Sequence, residues 1–401
     1  MTTATMDNAA ENKALLAAPR DAKAPPSATM VAVAREHGIS PFSQMRQMFA
    51  LRYGPGKIAL PEYYSTGLFD PTLTMEDKRE YVGRIGSWQI NDWLNPAKLT
   101  QSRVFVADKV MYTALLRQLG LPTTKTQAVA AKARNFGSIP ALRDPDTLRH
   151  FLTHDAVFPL FGKPCEGRGS VGSALLAGVE DGQIVMGNGR RADLVGFCAE
   201  VFADYPEGFI FQTALTQHQT LSDVAGPAVG SMRIVTVRDS DQPRVLYTVW
   251  KVPSPDAMSD NFWQSGSMIA QVDTNGHVGQ CRIGTGLDGR YIETHPVSGA
   301  RFDTVQVPHW DAVQQVACDA HALFPEFGVI GWDMAVTPDG PAIIEANDNP
   351  YHALWQLPNG RGIRNSDFMP VFQAAADQSQ AIIGEKIEMF KIRQRAKGRR
   401  A

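Results

Sequence analysis

Two acidic residues occur where a short hairpin would bring them face to face. Asp333 and Glu345 lie in two short apolar segments, separated by the turn sequence Thr337-Pro338-Asp339-Gly340. Proline sets φ at the first turn position, and glycine accepts a positive φ at the end. If residues 338–340 form the loop, the antiparallel register places Asp333 opposite Glu345, with Cβ atoms roughly 4.5–5.5 Å apart. The pattern therefore predicts two facing carboxylates.

This predicted carboxylate pair requires a cation. Facing like charges on an apolar hairpin are unfavourable unless positive charge lies between them. Side chains alternate along a strand, so Asn347 shares the face of Glu345 and adds a neutral oxygen. Two carboxylates and an amide suit Mg²⁺, which keeps bound waters and takes its remaining ligands from phosphates. We therefore predict a magnesium site at Asp333, Glu345 and Asn347; the alternative is a surface hairpin whose acidic face is solvated.

The segment from Gly167 to Gly172 is rich in glycine and matches the pattern G-x-G-x-x-G. In a dinucleotide site this pattern must open a helix, but here the following residues have the pattern of a strand, a turn and another strand. A glycine loop between two strands can fold over phosphates and donate its N–H groups, with Lys163 adding positive charge beside it. We predict a phosphate loop; a plain hairpin turn and a dinucleotide loop remain alternatives.

Two further residues suit a nucleotide. Lys109 opens a predicted helix, where the helix N-terminus and an ammonium group could jointly hold an anion. Gln212 follows an apolar strand, and Phe211 and Leu215 beside it supply the apolar surfaces that a purine ring needs. The alternatives are a surface lysine and an edge-strand glutamine.

Arg233 and Lys251 lie on otherwise apolar strands. Cations in such positions meet an anion, and the planar guanidinium matches phosphate or carboxylate geometry. The sequence leaves open whether that anion is a substrate group or the partner in a structural salt bridge.

Composition limits the classes of function. A chain of 401 residues can bury a large core in two or three lobes. The net charge of −2 and the pI of about 6.5 provide no general attraction for nucleic acid or membrane. No apolar run is as long as a membrane span, and the N-terminus lacks the layout of a signal peptide. Four widely spaced cysteines fit a reducing, cytoplasmic setting; they are Cys165, Cys198, Cys281 and Cys318.

The predicted elements indicate the α+β class. Helical spacing occurs at residues 108–119, 309–323 and 368–395. Short β-branched or aromatic segments between turn residues fill the middle of the chain; they are residues 157–163, 174–179, 184–186, 209–215, 232–237, 245–252 and 269–272. Strands and helices do not alternate regularly, so the sheets are expected to be mixed or antiparallel.

Taken in order, these motifs resemble the ATP-grasp superfamily over about residues 104–350. The ordered set comprises ADKVM at 107–111, FGKPCEGRGSVG at 161–172, FQ at 211–212, MRIV at 232–235 and the hairpin. The glycine loop is especially similar to the phosphate loop of D-alanine-D-alanine ligases, and D-x(11)-E-x-N matches the metal triad of the superfamily. LPEYY at 60–64, GWD at 331–333 and EANDNP at 345–350 resemble the sugar-transfer-associated group.

The resemblance implies a fold and a set of ligands. Two α+β subdomains would clasp ATP beside an N-terminal accessory region. The asparagine and the two acids of the hairpin would hold one or two Mg²⁺ ions, with Mn²⁺ as an alternative. The implied nucleotide contacts are Lys109 and Lys163 on the phosphates, the loop residues Glu166, Gly167, Arg168, Gly169 and Ser170 closing over them, Gln212 and Leu215 at the adenine, and Gln219 near the ribose.

The resemblance also implies a reaction. A substrate carboxylate would attack the γ-phosphate to form an acyl phosphate, which an amine or similar nucleophile would capture. Cations and metals carry such catalysis, so no nucleophilic side chain is required. D-alanine ligases place an arginine two residues before the metal aspartate, where this chain has Gly331. Arg233 or Arg282 would have to replace it, and Lys251 completes the candidate catalytic residues.

The predicted function is therefore an ATP- and Mg²⁺-dependent ligase that joins small-molecule or sugar-linked carboxylates and amines, with a sugar or surface-polymer precursor as a candidate substrate. A phosphotransferase acting on a hydroxyl group and a non-catalytic ATP-binding regulator are the alternatives. The sequence leaves the oligomeric state open, with a dimer as one option.

The predicted organisation has five parts. These are a disordered leader at 1–32, the accessory region at 33–105, a first ATP-grasp subdomain at 106–208, a second at 209–385, and a basic tail at 386–401. The tail has two interpretations, a solvated chain end or a site for anions or a partner.

Overall fold

Two seven-stranded sheets organise the chain. The computed structural model describes residues 26–95, 100–166, 172–254, 257–260 and 266–398. In the described part of the chain, β1 and β2 form the parallel pair of the first sheet, and all other paired strands are antiparallel. The predicted α+β class is confirmed.

The first sheet has the strand order β2-β1-β7-β3-β4-β5-β6. Its strands are β1 Thr126–Ala130, β2 Ala141–Leu142, β3 Leu160–Pro164, β4 Ala174–Glu180, β5 Gln183–Met186, β6 Arg191–Asp193 and β7 Phe209–Thr213. Phe197 and Val201, from the helix Leu194–Asp204, pack with Phe209 and Phe211 of β7 in one buried cluster. This apolar contact fixes the helix on the sheet.

The second sheet has the strand order β12-β11-β10-β9-β8-β13-β14. Its strands are β8 Met232–Val237, β9 Arg244–Val252, β10 Met268–Val272, β11 Val278–Ile283, β12 Arg290–Ile292, β13 Val329–Thr337 and β14 Gly340–Asn347. Both faces are covered: Trp250 and Trp332 belong to one buried cluster, and Val235 and Val329 to another that includes Phe372. A sheet buried on both faces explains why its strands are so uniformly apolar.

The helices surround these sheets. They are α1 Pro26–His37, α2 Pro41–Tyr53, α3 Leu60–Ser65, α4 Met75–Glu80, α5 Arg84–Leu94, α6 Thr100–Ala107, α7 Lys109–Gln118, α8 Pro145–His150, α9 Leu194–Asp204, α10 Gln219–Ala225, α11 Trp310–Ala322, α12 Ala353–Asn359 and α13 Phe368–Gly398. Among the described residues, no helix combines the length and the apolar character needed to cross a bilayer.

The β13–β14 hairpin has the predicted pairing but not the predicted loop. Thr337 pairs with Gly340, so the loop contains two residues instead of three. A β-bulge then shifts the register beyond Met334, which pairs with Ile343, and Asp333 still faces Glu345. The bulge adds one residue to β14 and so compensates for the shorter loop. The facing carboxylates were therefore predicted correctly from an incorrect loop length.

Three elements of the structure cross the predicted boundaries, in extent or in pairing. Helix α1 begins at Pro26 and continues past the predicted end of the leader at residue 32, and Val33 on that helix is buried. Strand β7 pairs with β1 and β3 of the first sheet, so the boundary between the two sheets lies after Thr213 instead of at 208. Helix α13 continues to Gly398 through the start of the predicted tail at 386.

Asn95, at the end of α5, binds the N-terminal region to the second sheet. Its side chain is fully buried. It donates to the carbonyls of Val329 and Asp348, at 3.0 and 3.1 Å, and accepts from the backbone N–H groups of Gly328 and Val329, at 2.8 and 3.1 Å. One amide therefore links the start of β13 to the residue that follows β14.

We expect Asn95→Ala to lower the free energy of unfolding by about 2–4 kcal/mol, because it leaves buried backbone groups without partners. Urea denaturation measures the loss. Asn188→Ala is the matched control, since that exposed amide accepts one backbone N–H at 3.2 Å; its effect should stay within about 0.5 kcal/mol. Equal effects of the two substitutions would show that Asn95 does not stabilise the junction.

Candidate active site

A cavity with walls from both sheets brings together seven of the twelve predicted site residues that the structure describes. The first sheet contributes an apolar wall and a lysine, and the second contributes acidic and basic side chains. Its lining includes Lys109, Phe161, Lys163, Leu175, Gln212, Leu215, Ser231, Lys251, Met258, Asp260, Asp333, Ile344 and Glu345. Residues more than 200 positions apart in sequence thus share one site.

Lys109 stands at the N-terminus of α7. The carboxylate of Asp108 caps this helix by accepting from the N–H groups of Val110 and Met111, at 3.1 and 3.0 Å. The Nζ atom of Lys109 lies 3.6 Å from Oε1 of Glu345. The cap thus begins the helix at the position that directs Lys109 toward the hairpin.

Lys163, near the end of β3, is buried, and its Nζ atom donates to the carbonyl of Ile344 at 3.3 Å. Ile344 is the extra residue of the bulge. Burial lowers the pKa of Lys163 to about 8; Glu345 opposes this shift and Lys109 adds to it. Lys163 is therefore a cation whose charge depends on nearby anions.

Asp333 is held by two cations from neighbouring strands. Its Oδ2 atom accepts from Nη2 of Arg233 at 2.9 Å and from Nζ of Lys251 at 3.1 Å, and its Oδ1 atom accepts from Nε of Arg233. Burial acts to raise the pKa of Asp333, but Arg233 and Lys251 outweigh it and hold that pKa well below its usual range. Asp333 is therefore an anion at every physiological pH.

Lys251 also forms an ion pair with Asp260, a carboxylate that the sequence motifs did not predict. Its Nζ atom lies 3.0 Å from Oδ2 of Asp260, and the Asp260 carboxylate accepts from the backbone N–H of Ser231 at 2.9 Å. Asp260 lies outside the strands, with no local motif around it, so the sequence contains no signal for this contact. In the described lining, Asp260 is therefore a carboxylate that the sequence did not predict, beside Asp333 and Glu345.

The hairpin side chains fit a divalent cation. Asp333 accepts three hydrogen bonds, while a carboxylate has about four acceptor positions, so Oδ1 retains one. Glu345 faces Asp333 across the ladder, and its side chain is 30% exposed. Among the residues that the structure describes, the buried Nδ2 atom of Asn347 has no hydrogen-bond partner, and amide O and N are interchangeable by rotation. The oxygen donors therefore suit Mg²⁺.

The hairpin supplies few ligands for a metal ion. Among the described residues, no group of three or more His, Cys, Asp and Glu side chains is arranged to hold a metal ion. A magnesium ion at the hairpin would therefore depend on Asn347, on water and on phosphate oxygens for its remaining ligands.

A slot lined by the first sheet combines apolar surface with one amide. Gln212 is buried, and its Nε2 atom lies 3.4 Å from the hydroxyl of Thr126. Phe161, Leu175 and Leu215 line the same cavity. Apolar walls with a hydrogen-bonding group at the edge are what a purine ring requires.

Some predicted residues lie elsewhere. Gln219 donates to Asp223 on its own helix, at 2.7 Å, and is absent from the cavity lining. Arg233 is buried behind Asp333, and Arg282 lies over the ring of Tyr291, 5.4 Å from its centre; neither lines the cavity. The same holds for Asn347 and for the exposed Glu166. Four predicted loop residues lie outside the described residues: Gly167, Arg168, Gly169 and Ser170.

Two mainly antiparallel sheets with helices, enclosing lysines, facing carboxylates and an apolar slot with one amide, define an ATP-grasp protein. The chain belongs to the sugar-transfer associated ATP-grasp family, whose model matches residues 91–368. The resemblance found in the motifs is thereby confirmed.

Solved structures with a similar arrangement are distant in sequence. The ATP-grasp ligase PsnB, complexed with the precursor peptide PsnA2 and AMPPNP, is 16% identical with a TM-score of 0.37, over 71% of this chain and 61% of that one. The D-alanine-D-alanine ligase of Coxiella burnetii is 12% identical with a TM-score of 0.40, over 73% and 62%. The chain thus spans less than two thirds of either protein. The search of curated proteins found no match.

Proposed function

We propose that this protein is an ATP- and Mg²⁺-dependent ligase that joins a carboxylate to an amine or similar nucleophile through an acyl phosphate. The main observation in support of this proposal is that one cavity is lined by Lys109, Lys163, Gln212 and Glu345. Membership of the ATP-grasp family supports ATP as the nucleotide that binds there. A sugar or surface-polymer precursor is the proposed substrate.

The charges of the site support phosphate binding. Among the described residues, three lysines of the cavity lining face three carboxylates, and Arg233 behind Asp333 brings the cluster to one excess positive charge, which favours an anionic ligand. The cations are Lys109, Lys163, Arg233 and Lys251, and the carboxylates are Asp260, Asp333 and Glu345. We propose that Lys109 and Lys163 bind the phosphates, that Gln212 and Leu215 contact the adenine, and that residues 166–170 close over the phosphates.

The hairpin is the proposed metal site. Asp333, Glu345 and Asn347 would hold Mg²⁺, which would offset the negative charge of the phosphates. Arg233 and Lys251 keep Asp333 ionised for this role. In this proposal Arg233 is a positioning residue, in place of the acyl-intermediate contact predicted from the sequence.

The proposed reaction needs no side-chain nucleophile. A substrate carboxylate oxygen attacks the γ-phosphorus, the bond to the β-γ bridging oxygen breaks, and ADP leaves. The nucleophile then attacks the acyl carbon, phosphate departs, and the nucleophile loses a proton. Lys251 lies in the cavity beside Asp333, where its ammonium group can offset charge on phosphoryl oxygens.

The reaction can be tested with purified protein, ATP, Mg²⁺ and pools of amino acids and sugar amines. We expect ADP and phosphate in equal amounts, with a new condensation mass, only when a carboxylate and an amine are both present. ATP turnover that is independent of any carboxylate would contradict the ligase. A stable phosphorylated product without free phosphate would indicate transfer to a hydroxyl group, and tight nucleotide binding without turnover would indicate a regulator.

A further inference from the structure

Arg282 on β11 is a cation without an anionic partner. Its guanidinium forms no hydrogen bond or ion pair with the residues that the structure describes, and its Nε atom is buried. The neighbour that the structure gives it is the ring of Tyr291, 5.4 Å away. A buried donor that lacks an acceptor is unfavourable, so this position favours a bound anion.

A second donor lies within electrostatic range of it. Tyr81, between α4 and α5, is 4% exposed, and within the described ranges its hydroxyl group forms no hydrogen bond. Burial and the neighbouring Tyr291 raise the pKa of Tyr81, and the Arg282 guanidinium opposes that rise. The hydroxyl therefore stays protonated and can donate a hydrogen bond.

Glycine backbone surrounds the guanidinium. A Cβ atom at Gly289 would lie only 2.6 Å from Nη2 of Arg282, and one at Gly67 would lie 3.5 Å from the same atom. Side chains at these positions would crowd the space around the charge. Gly67 belongs to the N-terminal region, so two distant parts of the chain form this cradle.

The cradle shares a sheet face with the candidate active site. Arg282 pairs with Ile269, and Ile269 pairs with Lys251, so the three side chains project from the same face in one row. Two strand spacings put the Cα atoms of Arg282 and Lys251 about 10 Å apart. Ile269 between them is buried against Leu354 and Leu357 of α12, so the cradle is separated from the cavity by that contact.

We infer that Arg282 and Tyr81 bind an oxyanion group, carboxylate or phosphate, on the second substrate, away from its reacting atom. This inference rests on the proposed ligase function and gives Arg282 a binding role instead of the catalytic role predicted from the sequence. Both oxyanions match the planar donors of a guanidinium. The substrate class is then a nucleophile that carries its own acidic group.

Phenylglyoxal, which modifies arginine, tests this inference on the full chain. Peptide mass spectrometry quantifies the adduct at Arg282 with inorganic phosphate, with acetate, or with neither. We expect one oxyanion to reduce the Arg282 adduct at least about fivefold, as expected for a guanidinium engaged in charge-assisted hydrogen bonds. Arg84 is the matched control, because it is exposed and also lies over a tyrosine ring, 5.9 Å from its centre; its adduct should not change.

The two probes distinguish the sources of the oxyanion. Protection by phosphate alone indicates a phosphorylated substrate, and protection by acetate alone indicates a carboxylate. Protection by neither overturns the inference. In Tyr81→Phe, which keeps the ring, the half-protecting concentration should rise about tenfold, because one hydrogen bond to a charged group is lost; an unchanged concentration removes Tyr81 from the subsite.

A measurement of nucleotide binding distinguishes failure of this inference from failure of the proposed function. Calorimetry with Mg²⁺ and AMPPNP measures nucleotide binding directly, and absence of binding contradicts the ligase proposal, whatever happens at Arg282. If AMPPNP by itself protects Arg282, then Arg282 contacts the nucleotide and the separate subsite is overturned. Binding of AMPPNP without protection, followed by protection on adding an oxyanion, supports both.

Discussion

Glu345→Ala is expected to abolish Mg²⁺-dependent turnover, with a loss of at least about 100-fold, while the fold stays intact. The loss follows from removing a charged oxygen that would hold the metal against the phosphates. The fold should survive because the carboxylate is 30% exposed and its ion pair with Lys109 is long, at 3.6 Å. Partly exposed pairs of this kind contribute about 0–1 kcal/mol.

The measurement has two parts. Turnover is followed by phosphate release, and metal binding is followed by the paramagnetic resonance of Mn²⁺, which does not require catalysis. Glu345→Gln keeps the size of the side chain but not its charge, and should behave like the alanine variant. Glu293→Ala is the control. This exposed acid also forms an ion pair with a cation, Arg301, at 3.3 Å, but it follows β12, at the opposite edge of the sheet from the hairpin. Unchanged activity in Glu345→Ala would refute the metal assignment.

Lys163→Met is expected to weaken nucleotide binding at neutral pH and to remove much of its pH dependence. In the free protein, Lys163 loses its proton as pH rises through about 8, because burial disfavours the ammonium form. Since the charged form binds phosphate, affinity for Mg²⁺ and AMPPNP should fall up to about tenfold between about pH 7 and 9.5. Calorimetry over this range measures the change and the accompanying proton uptake.

The stability of the free protein should change in the opposite direction. The pKa of Lys163 is lower in the folded chain, about 8, than the ordinary value of 10.5. Between these values the unfolded chain binds more protons, so the contribution of Lys163 makes the fold more stable as pH rises. Lys163→Arg stays charged throughout and should bind nucleotide with little pH dependence. If Lys163→Met kept the full pH dependence of the parent, another group would be responsible.

Local patterns in the sequence predicted much of the site. The helix that begins at Lys109 follows from its capping aspartate and its spacing, and the apolar strands follow from their composition. The facing of Asp333 and Glu345 follows from turn chemistry and alternation, because both are properties of a few consecutive residues. The order of the motifs was sufficient to identify the superfamily, and the family match confirmed it.

The partners of charged residues could not be predicted in this way. The residue type left open whether Arg233 meets a substrate anion or a structural partner; β8 lies next to β13 in the sheet, and the guanidinium pairs with Asp333 across 100 positions of sequence. Gln219 was placed near the ribose by the resemblance to the superfamily, but on helix α10 its amide donates to Asp223. The Arg233 contact is not encoded near that residue, whereas the Gln219 contact is a local one between residues four positions apart.

The sequence alone determined the class of the fold and the facing acids of the hairpin, because periodicity and turn propensity act over a few residues. Only the tertiary structure decided which cations hold Asp333, that Asp260 joins them, and that Arg282 lies outside the cavity lining, over the ring of Tyr291. The physical reason is that an ion pair depends on which strands become neighbours, and that order is set by packing of the whole chain.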